Sequence, residues 1–190
     1  FPDHDDFVEP DLPYEYAKAI NDTDADLLYC DEDSVNDAGD HMVPLFKCDL
    51  NIDLLYSNNY VLHFLCVSRS VIDNTKRTSS KYDGAQDYDL TLKAYEYSKK
   101  FHHIPKILYH WRLHENYSNA GNVSNKPYAQ EAGRLAISDH IKRLEYQSCV
   151  SKEKVPSTYK TLFEIDGHVT LNLFILGENC SAMSEQRESI

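Results

Sequence analysis

Hydrophobic and polar positions along this chain change period several times, and each change marks an element. Tyr16, Ala17 and Ile20 recur at helical spacing behind Asp11-Leu12-Pro13, a helix start with an N-cap candidate and an early proline. Asn21-Asp22-Thr23-Asp24 ends that helix, and Ala25 to Cys30 reads as a short strand running into Asp31-Glu32-Asp33. Asn36 to Asp40 is a turn cluster, and Val43 to Phe46 is extended edge material because Pro44 cannot donate to a ladder. Asp53 to Tyr60 reads as a short helix or loop. The near-continuous apolar run Val61 to Val67 predicts a strand buried on both faces. Ser68 to Asp83 is polar and reads as a loop. Asp87 to Lys99 is helical, with Leu90, Ala94 and Tyr97 on one stripe. Ile104 to Trp111 predicts another strand, Asn116 to Asn125 a loop, and Tyr128 to Leu144 an amphipathic helix with Ala132, Leu135, Ala136 and Ile141 inward. Lys152 to Pro156 reads as a linker, Ile165 to Leu176 as strand material, and the tail from Ser181 as a polar end. Short strands alternating with helices predict an α/β domain. The strand number is low for a complete doubly wound sheet.

Composition narrows the class. The 190 residues suffice for one domain, and 42% hydrophobic content supplies a core. Nineteen basic against 31 acidic residues give a net charge of -12, which disfavours nucleic acid as a partner. Cys30, Cys48, Cys66, Cys149 and Cys180 contain no CxxC pair and read as idle thiols rather than a disulfide framework. No run approaches the roughly 18 apolar residues of a membrane span. The chain opens at Phe1-Pro2-Asp3, in what reads as the middle of a motif, so a longer polypeptide is expected.

Three clusters carry candidate chemistry. In Asp3-His4-Asp5-Asp6, extended backbone sends Asp3 and Asp5 to one side, where paired carboxylates favour a hard divalent cation. Taken alone, the cluster reads equally as a solvated loop. In Gly84-Ala85-Gln86-Asp87-Tyr88-Asp89, Gly84 permits a close backbone approach. Asp87 follows in the first turn of a helix, placed either to accept a proton or simply to cap. In His110-Trp111-Arg112-Leu113-His114, alternation puts Arg112 and His114 on one face. Arg112 suits a diphosphate, His114 a metal, and Trp111 either a sugar face or the core. Asp31-Glu32-Asp33 is a polar strand end or a second metal site, and His102-His103 a structural or surface pair.

The order of these blocks resembles bacterial family-two glycosyltransferases. Asp3-His4-Asp5-Asp6 with Pro10 is similar to their DxD motif. Asp31-Glu32-Asp33 with Pro44-Leu45-Phe46-Lys47, and Asn58-Asn59-Tyr60 with His63, follow in family order. Gly84 to Leu90 and His103-Ile104-Pro105 through Leu108-Tyr109-His110-Trp111-Arg112 complete the set. The resemblance spans roughly residues 3 to 144. It implies a GT-A fold lacking its N-terminal nucleotide-binding strands and helices, with residues 1–148 as the catalytic and acceptor half and 149–190 as a linker and C-terminal extension. It implies an inverting transfer from a nucleotide-sugar, UDP-sugar foremost, to a glycan acceptor of a cell-surface polysaccharide or glycoprotein, with Mn2+ or Mg2+. Asp87 would be the base. Asp3 and Asp5, with His114, would hold the metal. Asp3, Asp5 and Arg112 would hold the diphosphate and ribose side of the donor, and Asn59, His63, Asp83, Gly84 and Trp111 would line the sugar site. Nucleotide-sugar chemistry implies a cytoplasmic location, at or near the inner membrane face. The alternative is a truncated, non-catalytic module that binds a glycan or a partner. Phe46-Lys47-Cys48 departs from the family's usual Phe-Lys-Pro.

Overall fold

The computed structural model describes residues 4–75, 79–113, 127–165, 167 and 170. A four-stranded mixed sheet organises them, in the order β1 (Phe7–Val8), β4 (Phe101–Leu113), β2 (Leu27–Asn36) and β3 (Cys66–Val67). The long central pair, β2 and β4, is parallel, with Leu27 opposite Phe101 and Asn36 opposite Leu113. Register shifts at Cys30/Asp31 and Asp31/Glu32 interrupt it. The edge strands β1 and β3 are antiparallel to their neighbours.

Period-two alternation in β2 feeds two cores. Leu28 and Cys30 face α1 (Leu12–Thr23), where Leu12, Tyr16 and Ala19 pack with Ile104, Leu108 and Tyr109. Leu27 and Tyr29 face the opposite layer, which holds Leu92 and Ala94 of α4 (Gln86–Tyr97) and Ala132, Ala136, Ile137 and Ile141 of α5 (Pro127–Arg143). Shorter helices α2 (Ile52–Leu55) and α3 (Arg69–Asn74) complete this layer, each opened by a side-chain cap, Asn51 and Ser68 respectively.

Both predicted long helices are present, with their inward faces rotated from expectation. In α1, Leu12, Tyr16 and Ala19 are buried, while Ile20 is 39% exposed. In α4, Tyr88, Leu92 and Ala94 turn inward and Tyr97 outward. Tyrosine rings, which have a polar tip, decide the rotation: Tyr16 reaches the Phe64 carbonyl at 2.5 Å, and Tyr88 reaches the Leu55 carbonyl.

Three other expectations are corrected. Val61 to Val67 is a strand only at Cys66–Val67, because the Lys47 ammonium claims the carbonyls of Val61 and His63 that a neighbouring strand would need. Ser68 to Asp83 is not all loop, since it contains α3 and a 3-10 turn at Ser80–Tyr82. The linker expected at Lys152 to Pro156 is the end of β5 (Ser148–Lys152) and the turn into β6 (Tyr159–Phe163). That hairpin anchors itself through Tyr159, whose hydroxyl would lie 2.1 Å from a Cβ at Gly133, so only glycine leaves room on α5. Val43 to Phe46 is extended as expected and meets β2 by a bridge between Leu45 and Glu32. Cys30, Cys48, Cys66 and Cys149 are free thiols. The loop expected at Asn116 to Asn125, Cys180 and the tail from Ser181 lie outside the described residues, as does most of Ile165 to Leu176.

Candidate functional site

The first turn of α4 carries Asp87. Gly84 precedes it with φ +87°, and a Cβ there would meet Ala129 and Tyr128 of α5 at 2.8 Å. Glycine therefore seats the start of α4 against α5. Gly84 also donates its N–H to the Gln86 side chain at 2.9 Å. Asp83 is exposed and closes the 3-10 turn. The helix begins without a side-chain cap, so its free N–H groups present a partial positive end to the Asp87 carboxylate. Asp87 is exposed, and Asn59 donates its amide to Oδ2 at 3.1 Å. Two residues singled out separately in the sequence thus meet across a separation of 28 positions.

A second group forms where the residues before β1 cross the end of β4. Asp6 accepts the Arg112 backbone N–H at 2.9 Å and the Tyr109 hydroxyl. The Arg112 side chain donates Nε to the Asp5 carbonyl at 2.9 Å, and its guanidinium lies 4.3 Å from the centre of the Phe7 ring. Arg112 therefore positions the acidic segment as well as presenting charge beside it. Asp5 keeps its side chain 36% exposed, within 3.7 Å of His4. A half-exposed carboxylate held by its own backbone suits a hard divalent cation. Asp3 and His114 lie outside the described residues. Trp111, on the opposite face of β4 from Arg112, is 37% exposed.

The least expected feature is the depth of Asp31-Glu32-Asp33. These residues sit inside β2, all buried, rather than at a strand end. Each acid has its own partner. Asp31 accepts the Lys47 backbone N–H at 2.8 Å and lies 2.7 Å from Nε2 of His103. Glu32 accepts the Lys47 ammonium at 3.2 Å, with His63 Nδ1 at 3.5 Å. Burial pulls the Lys47 ammonium below its ordinary range, and Glu32 opposes that shift. Asp33 lies between two imidazoles, 2.5 Å from His110 Nδ1 and 2.8 Å from His41 Nδ1. His63, expected in the sugar site, takes part in this network, and its ring stacks on Tyr109 at 4.6 Å. His103 is likewise a buried partner. The sequence placed these acids at the end of a short strand; their burial inside a longer one, and so their need for counter-charges, came only with the structure.

The far end of α4 shows the same pairing. Glu96 lies 2.7 Å from His140 Nδ1 and accepts Arg143 NH2 at 2.6 Å. Burial pushes its pKa up, but the bonds from His140 and Arg143 outweigh that and leave it below its ordinary value.

No profile of a known protein family matches this chain. It is 34% identical over 177 residues to the uncharacterized protein y4gI of Sinorhizobium fredii, covering 91% of this chain and 19% of that protein. It is 32% identical over 149 residues to the O-antigen biosynthesis protein RfbC of Myxococcus xanthus, covering 78% of this chain and 12% of that protein. The chain thus spans a small part of both relatives. The structure of residues 1–349 of Staphylococcus aureus TarS in complex with UDP-GlcNAc matches with a TM-score of 0.52 at 19% identity, over 72% of this chain and 40% of that one. The fold is therefore GT-A-like, and the resemblance to a bacterial glycosyltransferase, over part of its domain, is borne out.

Proposed function

We propose that this chain is the catalytic half of an inverting, divalent-metal-dependent glycosyltransferase that moves a sugar from a UDP-sugar to a glycan hydroxyl in the assembly of a bacterial surface polysaccharide. The observation that carries this reading is Asp87: an exposed carboxylate at a rigid helix start, held by one neutral amide and no cation among the described residues. It sits on a fold shared with a protein solved with UDP-GlcNAc, and one relative is named for O-antigen biosynthesis.

The chemistry follows from the placement. Asp87 takes the proton of the acceptor hydroxyl as its oxygen bonds to the anomeric carbon. The bond from that carbon to the diphosphate oxygen breaks on the opposite side, and UDP leaves with the electron pair. Asn59 fixes which carboxylate oxygen faces the acceptor. Arg112, anchored at Asp5, supplies positive charge on the donor side. Asp5, together with Asp3 and His114, would hold Mn2+ or Mg2+, which when bound neutralises charge on the diphosphate. Asp83, Gly84 and Trp111 remain candidates for the sugar and acceptor rim; Gly84 acts there by seating Asp87. Among the described residues no helix is long and apolar enough to cross a membrane. A cytoplasmic enzyme, working at the inner membrane face as part of a longer polypeptide, fits the supply of nucleotide-sugars.

The test is calorimetric titration of UDP with and without Mn2+, followed by UDP release from UDP-GlcNAc and other UDP-sugars by wild type and Asp87→Asn. Manganese-dependent UDP binding in both proteins, with release only in wild type, is expected. Equal turnover by Asp87→Asn would overturn the base assignment. Absence of UDP binding would overturn the donor assignment.

A further inference from the structure

We infer a second, nitrogen-rich metal site, built from Asp33, His41 and His110 and suited to Zn2+, separate from the oxygen-rich site at Asp5. This inference does not depend on the transferase reading.

Strand pairing brings the ligands to one face of the sheet. Asp33 is in register with His110 across β2 and β4, so both point the same way. Val35 shares that face of β2, and His41 is bridged to Val35 on the returning chain. Phe7 is in register with His110, which places Glu9, two residues on, over the same surface. A cavity of about 250 Å³ lies there, lined by Glu9, Val35, His41 and His110 among others.

One ligand atom from each of Asp33, His41 and His110 lies within 4.8 Å of the other two. A tetrahedral zinc ion with bonds near 2.1 Å has ligand–ligand edges of about 3.4 Å. The existing Asp33–His110 and Asp33–His41 separations, 2.5 and 2.8 Å, open to that value by under about 1 Å. Each imidazole would bind through Nδ1. His110 Nε2–H then donates to Glu9 Oε1, already 3.1 Å away, the carboxylate–histidine–metal arrangement that orients a ligand ring.

The frame is preorganised. The Asn36 side chain accepts the N–H groups of Ala38 and Asp40 at 3.0 and 2.8 Å, and Gly39 takes φ +88°, so the turn delivering His41 is tightly closed. Asp33 and His110 are buried while His41 is 59% exposed, which supplies an entry path. The cavity beside the three ligands leaves room for water to complete the coordination of a bound ion. Two imidazoles with one carboxylate favour a late first-row ion over Mg2+. Arg112 lies two strand residues from His110, about 7 Å along β4, so the site adjoins the proposed donor site without sharing its ligands.

The experiment is titration of the full chain with Co2+, followed by visible absorption and competition by Zn2+ and Mg2+. The expected result is stoichiometric binding with d–d bands of tetrahedral intensity, displaced by Zn2+ and not by Mg2+. His41→Ala changes an exposed side chain and should fold; it should weaken binding at least about tenfold, as should Asp33→Asn. Asp5→Ala should leave the spectrum unchanged. Absent bands, bands surviving His41→Ala, or bands lost in Asp5→Ala would each overturn the proposal.

Discussion

Asp33 and Asp87 carry the same functional group in opposite surroundings. Asp33 is buried in a central strand, with an imidazole on each oxygen and two further buried acids, Asp31 and Glu32, just before it, themselves paired. Asp87 is exposed on the first turn of a helix, touched among the described residues by a single amide donor. Burial makes a charge dependent on its partners, because water no longer solvates it. Exposure leaves a carboxylate free to exchange a proton with whatever arrives. The acids of β2 therefore act through what they hold in place, and Asp87 through what it leaves open. The two ends of α4 repeat the lesson: Glu96 is clamped by His140 and Arg143, whereas Asp87 is not.

The contrast can be broken at its strongest point first. Asp87→Asn should lower sugar transfer by about 10²- to 10⁴-fold, the usual worth of a general base. The same change should leave unfolding within about 0.5 kcal/mol of wild type, because a surface position away from packing tolerates substitution. Paired kinetics and urea denaturation check both halves; a large stability loss would erase the distinction drawn here.

The opposite response is expected in β2. Lys47→Met removes the only cation bonded to buried Glu32 among the described residues and should cost about 3–5 kcal/mol in urea unfolding. Adding Glu32→Gln should recover part of that loss, since the stranded charge is gone. Failure of the second change to recover anything would mean that packing, not charge pairing, sets the cost.

Glu96 offers a pH test. Its folded pKa lies below its unfolded value, so the stability it contributes is present above the unfolded value, about 4.3, and is lost as pH falls through the folded one. Glu96→Gln should lose about 1.5–3 kcal/mol near neutrality, the worth of hydrogen bonds to charged groups. Its deficit should shrink as pH drops below about 4. Thermal melts of both proteins across that range would show the two curves converging.

The smallest effect is expected from Asn59→Ala. An exposed amide bond contributes about 0.5–1 kcal/mol at most, so melting should barely move. A drop in turnover with unchanged UDP affinity would separate orientation of the base from donor binding.

Much of this was legible along the chain. Each long helix announced itself by period, because an element that buries one face must repeat its apolar positions, and an apolar stretch of each central strand was visible, though β2 runs six residues past its expected end at Cys30. The start of α4, with Gly84 and Asp87, was readable because a positive-φ glycine and a first-turn acid are local signals, although the helix that Gly84 approaches lies more than 40 residues on. The linear pattern did not reveal which residues would neutralise one another. Lys47 turned an apolar run from strand into loop by taking two carbonyls from 14 and 16 positions away. Tyr159 turned an apparent linker into a hairpin by filling the gap at Gly133. Asp33, His41 and His110 converge from two strands and a turn, and Asn59 reaches Asp87 from 28 positions away. The sequence by itself determined the long helices, the charge and the inventory of reactive groups. Only the tertiary structure decided which of those groups would be buried and paired and which left free, because pairing depends on register and layer contact, and neither is local.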